Sequence, residues 1–121
     1  MKRLSVPVTV FLLVLAGGAW AAMEIPDGVK ELLQKRCVGC HKGNHPPKGL
    51  NLEPARVAAI LDAPSKEVPT LKIIDTQSPG SSYLLKKVRR QKDIAGRGMP
   101  PRKALTAEEL QIIETWVAGL R

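Results

Sequence analysis

Cys37-Val38-Gly39-Cys40-His41 places two thiols and an imidazole within one short run, and a Cys-x-x-Cys-His pentapeptide has the spacing at which haem is attached covalently through two thioethers. In a helical segment, positions i, i+3 and i+4 share one face, so both sulfurs reach the porphyrin edge while the His41 imidazole points at the iron. Paired cysteines also serve as a thioredoxin-like redox couple, as half of a zinc site, or as a structural disulfide. A thioredoxin motif sits between a strand and a helix in an α/β pattern that this chain lacks, and a zinc site needs further thiols or imidazoles. The cysteines and histidines are Cys37, Cys40, His41 and His45. The expected cofactor is therefore a single covalent haem c, held by Cys37 and Cys40, with His41 as an iron ligand.

A second axial ligand is needed, and Met99 is the best candidate. It stands in Gly96-Arg97-Gly98-Met99-Pro100-Pro101, where glycines let the chain turn sharply and prolines hold the backbone behind the thioether. A methionine often fills gaps in a core, but this stretch has no apolar periodicity with which to bury it. Met23 lies near the expected mature N-terminus, and Met1 belongs to the leader. His45 follows His41 by four residues, a tether of roughly 14 Å that can hardly round the porphyrin. It reads as a solvated loop residue or as a hydrogen-bond partner near the haem rim.

The elements that must carry these residues are helical. Asp27 can cap a first helix in which Val29, Leu32, Leu33 and Cys37 line one face. After His41, the run from Lys42 to Gly49 is turn chemistry, with Gly and Asn tolerating positive φ and Pro46-Pro47 stopping any helix. Pro54 opens a short helix burying Val57, Ile60 and Leu61 and ending before Pro64. Residues 64–77 are the least interpretable, with Thr70 to Ile74 a weak strand signal. A helix over Ser82 to Lys92 turns Leu84, Leu85 and Val88 inward and Lys86, Lys87, Arg89 and Arg90 outward. Thr106-Ala107-Glu108-Glu109 is a capping box, after which Leu110, Ile113, Val117 and Leu120 share a face with Trp116 beside them. That last helix, about 21 Å long, can cross the first and close the domain. Trp116 reads as a core anchor rather than a redox relay.

Lys2 and Arg3 precede an apolar stretch from Leu4 to Ala19, and Ala19-Trp20-Ala21 supplies small residues for a signal peptidase. The expectation is a signal peptide over 1–21, cleaved after Ala21, and one monohaem domain over 22–121; an uncleaved N-terminal anchor remains the alternative. Export to an oxidising periplasm would expose free thiols to disulfide formation, and haem attachment would consume both. Past residue 21 the aromatics are Tyr83 and Trp116. A buried porphyrin would therefore supply apolar bulk, and the apoprotein is expected to fold poorly.

Taken in order, Cys37-x-x-Cys40-His41, Gly49-Leu50-Asn51-Leu52, Pro79 to Leu85, Met99-Pro100-Pro101 and a C-terminal helix from Leu105 to Trp116 resemble small class I c-type cytochromes. The similarity extends in particular to the cytochrome modules of planctomycete-type membrane and periplasmic proteins, and it spans residues 29–120. It implies an all-α, class I cytochrome c-like fold, with three to four helices wrapped around one covalently bound haem. It also implies thioethers at Cys37 and Cys40, His41 as proximal ligand and Met99 as distal ligand.

An iron ligated on both sides has no open site for a substrate, which describes an electron carrier and not an enzyme. No acid/base set is evident either, because the carboxylates are scattered over helix starts and exposed faces. Removing Lys2 and Arg3 from the formal +8 leaves +6. Lys42, Lys48, Arg97, Arg102 and Lys103 flank the two ligand loops. They either steer an acidic redox partner or merely keep a small protein soluble. The expected carrier is a periplasmic monomer that meets redox proteins and no nucleic acid, and touches a membrane only through a partner or an uncleaved anchor. Two alternatives stand beside it: the haem subunit of a multi-subunit dehydrogenase or oxidase, and a gas-binding sensor or peroxidase-like protein in which Met99 is off the iron.

Overall fold

The computed structural model describes residues 23–120, so the expected signal peptide over 1–21 lies outside the described residues. Three α-helices occur among them: α1 (Asp27–Arg36), α2 (Tyr83–Val88) and α3 (Ala107–Ala118). Short 3₁₀ helices cover Pro47–Gly49, Pro54–Ile60 and Pro79–Ser81. Each starts on a proline, whose fixed φ suits a first helical position and whose missing N–H costs nothing there. The protein is all-α in class, with extended pairing confined to the isolated bridges Leu61–Ile74 and Pro64–Lys72 among the described residues.

Apolar faces of the three α-helices and of the Pro54–Ile60 segment meet in one cluster. Leu32 and Leu33 of α1, Val57 and Ile60, Leu84, Leu85 and Val88 of α2, and Ile113, Trp116 and Val117 of α3 are all buried in it. Leu33, Val57, Ile74, Ile113 and Val117 are fully enclosed. Each such side chain gains about 1.5–3 kcal/mol from leaving water, set against the conformational entropy lost on ordering. Trp116 is a core residue, as its helical position predicts.

α3 carries the capping box intact. Thr106 Oγ1 accepts from Glu109 N at 3.1 Å, and Glu109 Oε1 accepts from Thr106 N at 3.1 Å. α1 departs from expectation, since its N-cap is Pro26 and Asp27 is the first helical residue, without a side-chain cap. Asp27 instead sits in the first turn, where its charge opposes the positive end of the helix dipole.

α2 is shorter than the expected Ser82 to Lys92. It ends at Val88, and Arg90 turns to positive φ at 54°. Its first orphan amides are satisfied from outside the helix: Tyr83 N donates to Lys72 O at 2.9 Å and Leu84 N to Ile73 O at 3.0 Å. The weak strand signal at Thr70 to Ile74 thus marks an extended piece that caps a helix. The Pro54 segment buries Val57 and Ile60 as expected but winds as a 3₁₀ helix.

Lys87 corrects the assignment of α2's outer face. Its place in the helical pattern puts it in solvent, yet it is buried at 6% exposure. Val88 and Leu84 fix the apolar side of the helix, and Lys87 lies on the flank where the loop 94–99 and Glu67 close over it. Its charge is held there by hydrogen bonds rather than by water.

Candidate functional site

α1 runs directly into the candidate haem-binding turn. Cys37 is the C-cap residue, with its N–H donating to Leu33 O at 2.9 Å. The next residues form a turn rather than more α-helix, closed by His41 N to Cys37 O at 3.0 Å and Cys40 N to Cys37 O at 3.3 Å. An i to i+4 bond keeps positions 37, 40 and 41 on one side of a single helical turn, the grouping the motif needs. Cys37 is half-buried, Cys40 is exposed, and both thiols are free.

Burial pushes the Cys37 thiol up to about 11, with the neighbouring Arg36 charge pulling weakly the other way. Redox-active cysteines of the thioredoxin type have a lowered pKa, so this environment opposes a nucleophilic thiolate at Cys37. Among the described residues, no group of three or more His, Cys, Asp or Glu side chains is arranged to hold a metal ion.

His41 is oriented by the loop that follows it. Its Nδ1 lies 3.0 Å from Leu50 O, and the backbone closes the same loop through Leu52 N to His41 O at 2.9 Å. A carbonyl only accepts, so Nδ1 carries a proton, and in the neutral ring the lone pair is then on Nε2. A backbone partner that fixes tautomer and ring orientation is the usual support of a metal-ligating imidazole. The loop is held by Asn51, whose Nδ2 donates to Gly43 O at 3.1 Å and to Glu53 Oε2 at 2.8 Å. The Asn51 amide bond also holds the Glu53 carboxyl below its usual range, followed in effect by the Gly43 amide. His45, in the same loop, is exposed. Positive φ falls at Gly43, Lys48 and Gly49 in this loop, not at Asn44.

Met99 is half-buried, and the partly buried apolar side chains that pack on the core include Met23 but not Met99. Its N–H donates to Lys87 O at 2.9 Å, tying it to α2, and Arg90 Nη2 donates to Pro100 O just beyond it. Gly98 is buried against Arg90, where a Cβ would overlap that side chain.

Among the described residues, no hydrogen bond joins Met99 directly to the turn from Cys37 to His41. The connection runs through Arg36. Its Nη2 donates to Lys103 O at 2.5 Å and Ala104 O at 3.2 Å, and its Nη1 to Glu109 Oε1 at 2.6 Å. The residue before Cys37 thus clamps the loop that leaves Met99 to the start of α3. The sequence gives no motif for Arg36, which reads there as one more basic residue at a helix end.

The residues present suit a covalent haem in their chemistry: two free thiols, an imidazole with Nε2 left as its basic nitrogen, and a thioether outside the apolar core. A groove of about 700 Å³ lies elsewhere, between the start of α1 and the end of α3, lined by residues including Val29, Ile112 and Trp116 and by none of these four. The Trp116 indole N–H is buried and has no hydrogen-bond partner among the described residues.

A scan against models of protein families, a search of curated proteins and a search of solved structures each find no match to this chain.

Proposed function

We propose that the chain is an exported, single-haem electron carrier of the class I c-type cytochrome kind, with Cys37 and Cys40 as thioether residues and His41 and Met99 as axial ligands. The observation that carries the reading is the His41 ring: Nδ1 is spent on Leu50 O, so Nε2 is the nitrogen presented for ligation, in the one-turn grouping with two free thiols. When bound, the haem supplies a one-electron iron couple, and with both axial positions filled it leaves no site for a substrate.

The chain's own residues then have distinct tasks. Cys37 and Cys40 would hold the haem at the end of α1. Leu50 O holds the His41 plane and tautomer. Arg36 couples that turn to the loop after Met99. Such a carrier would pass one electron from a donor protein to an acceptor protein without transforming a substrate.

Lys42, Lys48, Arg97, Arg102 and Lys103 are all exposed, which supports an acidic redox partner docking near the two ligand loops. Among the described residues no helix is long and apolar enough to cross a membrane.

Absorption spectra of the purified protein in both oxidation states test the reading. Low-spin haem bands in each state, with a weak near-infrared sulfur-to-iron band on oxidation, are expected. A high-spin ferrous spectrum would overturn the carrier assignment in favour of a ligand-binding haem protein.

A further inference from the structure

The segment that leads into Met99 is pinned by a buried polar group that the sequence does not announce. Tyr83 and Lys87 stand one helical turn apart on α2 and so share a face. Tyr83 Oη accepts from Ala95 N at 3.1 Å, and Lys87 Nζ donates to Ala95 O at 2.8 Å. Both backbone groups of Ala95 are therefore taken by α2 side chains. Four residues on, Met99 N donates to the Lys87 carbonyl at 2.9 Å. The stretch from Ala95 to Met99 is thus fastened to Lys87 at both ends.

Glu67 completes the arrangement from the otherwise unexplained segment 64–77. Its carboxylate lies 3.1 and 3.3 Å from Lys87 Nζ, and it accepts from Tyr83 Oη at 3.1 Å. Side-chain exposure is 7% for Lys87 and 16% for Glu67, so the pair is largely shielded from water and salt. Ser65, itself buried, orients the turn that presents Glu67 by accepting from Glu67 N at 3.2 Å and Val68 N at 3.3 Å. Gly96, at a φ of +66°, passes just outside Glu67 and Lys87; a Cβ there would come within 3.8 Å of the carboxylate. The loop lies directly over the pair.

We infer that Glu67, Lys87 and Tyr83 are positioning residues that hold the Met99 arm in its ligating place, and that segment 64–77 exists to deliver Glu67 to them. The inference rests on Met99 being an axial ligand, as proposed above. A buried pair that has lost one partner leaves the other charge uncompensated, so the arm is released where a surface pair would hardly notice the change. The core beneath α2 is built from Leu84, Leu85 and Val88, and none of Glu67, Tyr83 and Lys87 belongs to that cluster.

The test uses the full haem-loaded protein and two readouts, the near-infrared sulfur-to-iron band and amide hydrogen exchange over 95–99 compared with α1. Glu67→Gln and Lys87→Met are each expected to keep the covalent haem, to weaken or lose the band, and to speed exchange at 95–99 at least tenfold while α1 is unchanged. Lys87→Arg, which keeps charge and donors, should restore part of the band. Arg89→Met breaks the half-exposed pair between Arg89, at the C-cap of α2, and Glu114 of α3, and should alter neither readout. Should the charge variants fail to accumulate, Tyr83→Phe removes a single hydroxyl and must still speed exchange at Ala95. Variants with wild-type exchange and an intact band overturn the inference. A wild type without the band sinks Met99 ligation instead, and the pinning of 95–99 is then decided by exchange alone.

Discussion

Arg36 and Glu109 form an ion pair at 2.6 Å that joins the residue before the candidate thioether turn to the capping box of α3. Glu109 serves both roles with one oxygen, accepting from Thr106 N and from Arg36 Nη1. The two side chains are only 13% and 16% exposed, so solvent screens them little. Arg36→Ala should therefore cost about 2 kcal/mol, leaving the shielded Glu109 carboxylate without its cation, while the exposed Lys103 and Ala104 carbonyls turn to water. A fall in melting temperature of roughly 10 °C is the expected reading by calorimetry; a change near zero would show the clamp to be idle.

The same pair predicts a pH dependence. The Thr106 amide, and after it the Arg36 charge, hold the Glu109 carboxyl below its ordinary value of 4.5. A carboxyl depressed in the folded state stabilises the fold above its unfolded pKa, and that stabilisation is lost as pH falls through the folded pKa. The stability gap between wild type and Glu109→Gln should be full at pH 6–7 and shrink steadily below 4.5. Denaturant titrations across that range check it, and a gap that widens in acid would mean the sign is wrong.

Covalent attachment is checked by mass. Thioethers survive unfolding, so the denatured protein should weigh residues 22–121 plus one haem. Residues 1–121 plus haem would keep the chemistry and replace the cleaved signal with an anchor. A bare-chain mass would end the haem reading.

Much of this arrangement is legible in the sequence where a local rule decides it. Thr106 and Glu109 are close in sequence and form their box regardless of tertiary context, and the spacing of Leu32, Leu33, Ile113 and Val117 finds the core because helical periodicity is itself local. What pattern reasoning misplaces is set by distant partners. Lys87 looks like a solvated cation because Glu67, twenty residues away, and Ala95 are invisible to a helical wheel. Asp27 looks like a cap because nothing in the sequence says that Pro26 already occupies that position. The pentapeptide at 37–41 is read from chemistry alone; the His41–Leu50 bond that orients its imidazole comes from the loop fold.

Electrostatic steering separates the two roles left open for the exposed cations. If Lys42, Lys48, Arg97, Arg102 and Lys103 guide docking, electron transfer to an acidic partner should slow markedly as the screening length drops from about 30 Å at 0.01 M salt to about 8 Å at 0.15 M. Charge reversal at Arg97 and Lys103, both exposed, should reproduce the high-salt rate at low salt. Stopped-flow rates indifferent to ionic strength would return these residues to solubility.

Met99 separates a carrier from a sensor or an enzyme. A thioether is a soft ligand that favours ferrous iron, so the intact protein should bind carbon monoxide slowly or poorly. Met99 is held by its amide to Lys87 O and lies outside the apolar cluster, so truncating it removes the proposed ligand without opening the core. Met99→Ala should therefore keep near-wild-type stability, lose the sulfur-to-iron band, bind carbon monoxide readily and show a lower reduction potential. His45 is exposed on its loop, and His45→Ala should change none of these. Rapid carbon monoxide binding by the reduced wild type, or a Met99→Ala spectrum identical to it, would remove the sulfur from the iron and make a gas-binding protein the better account.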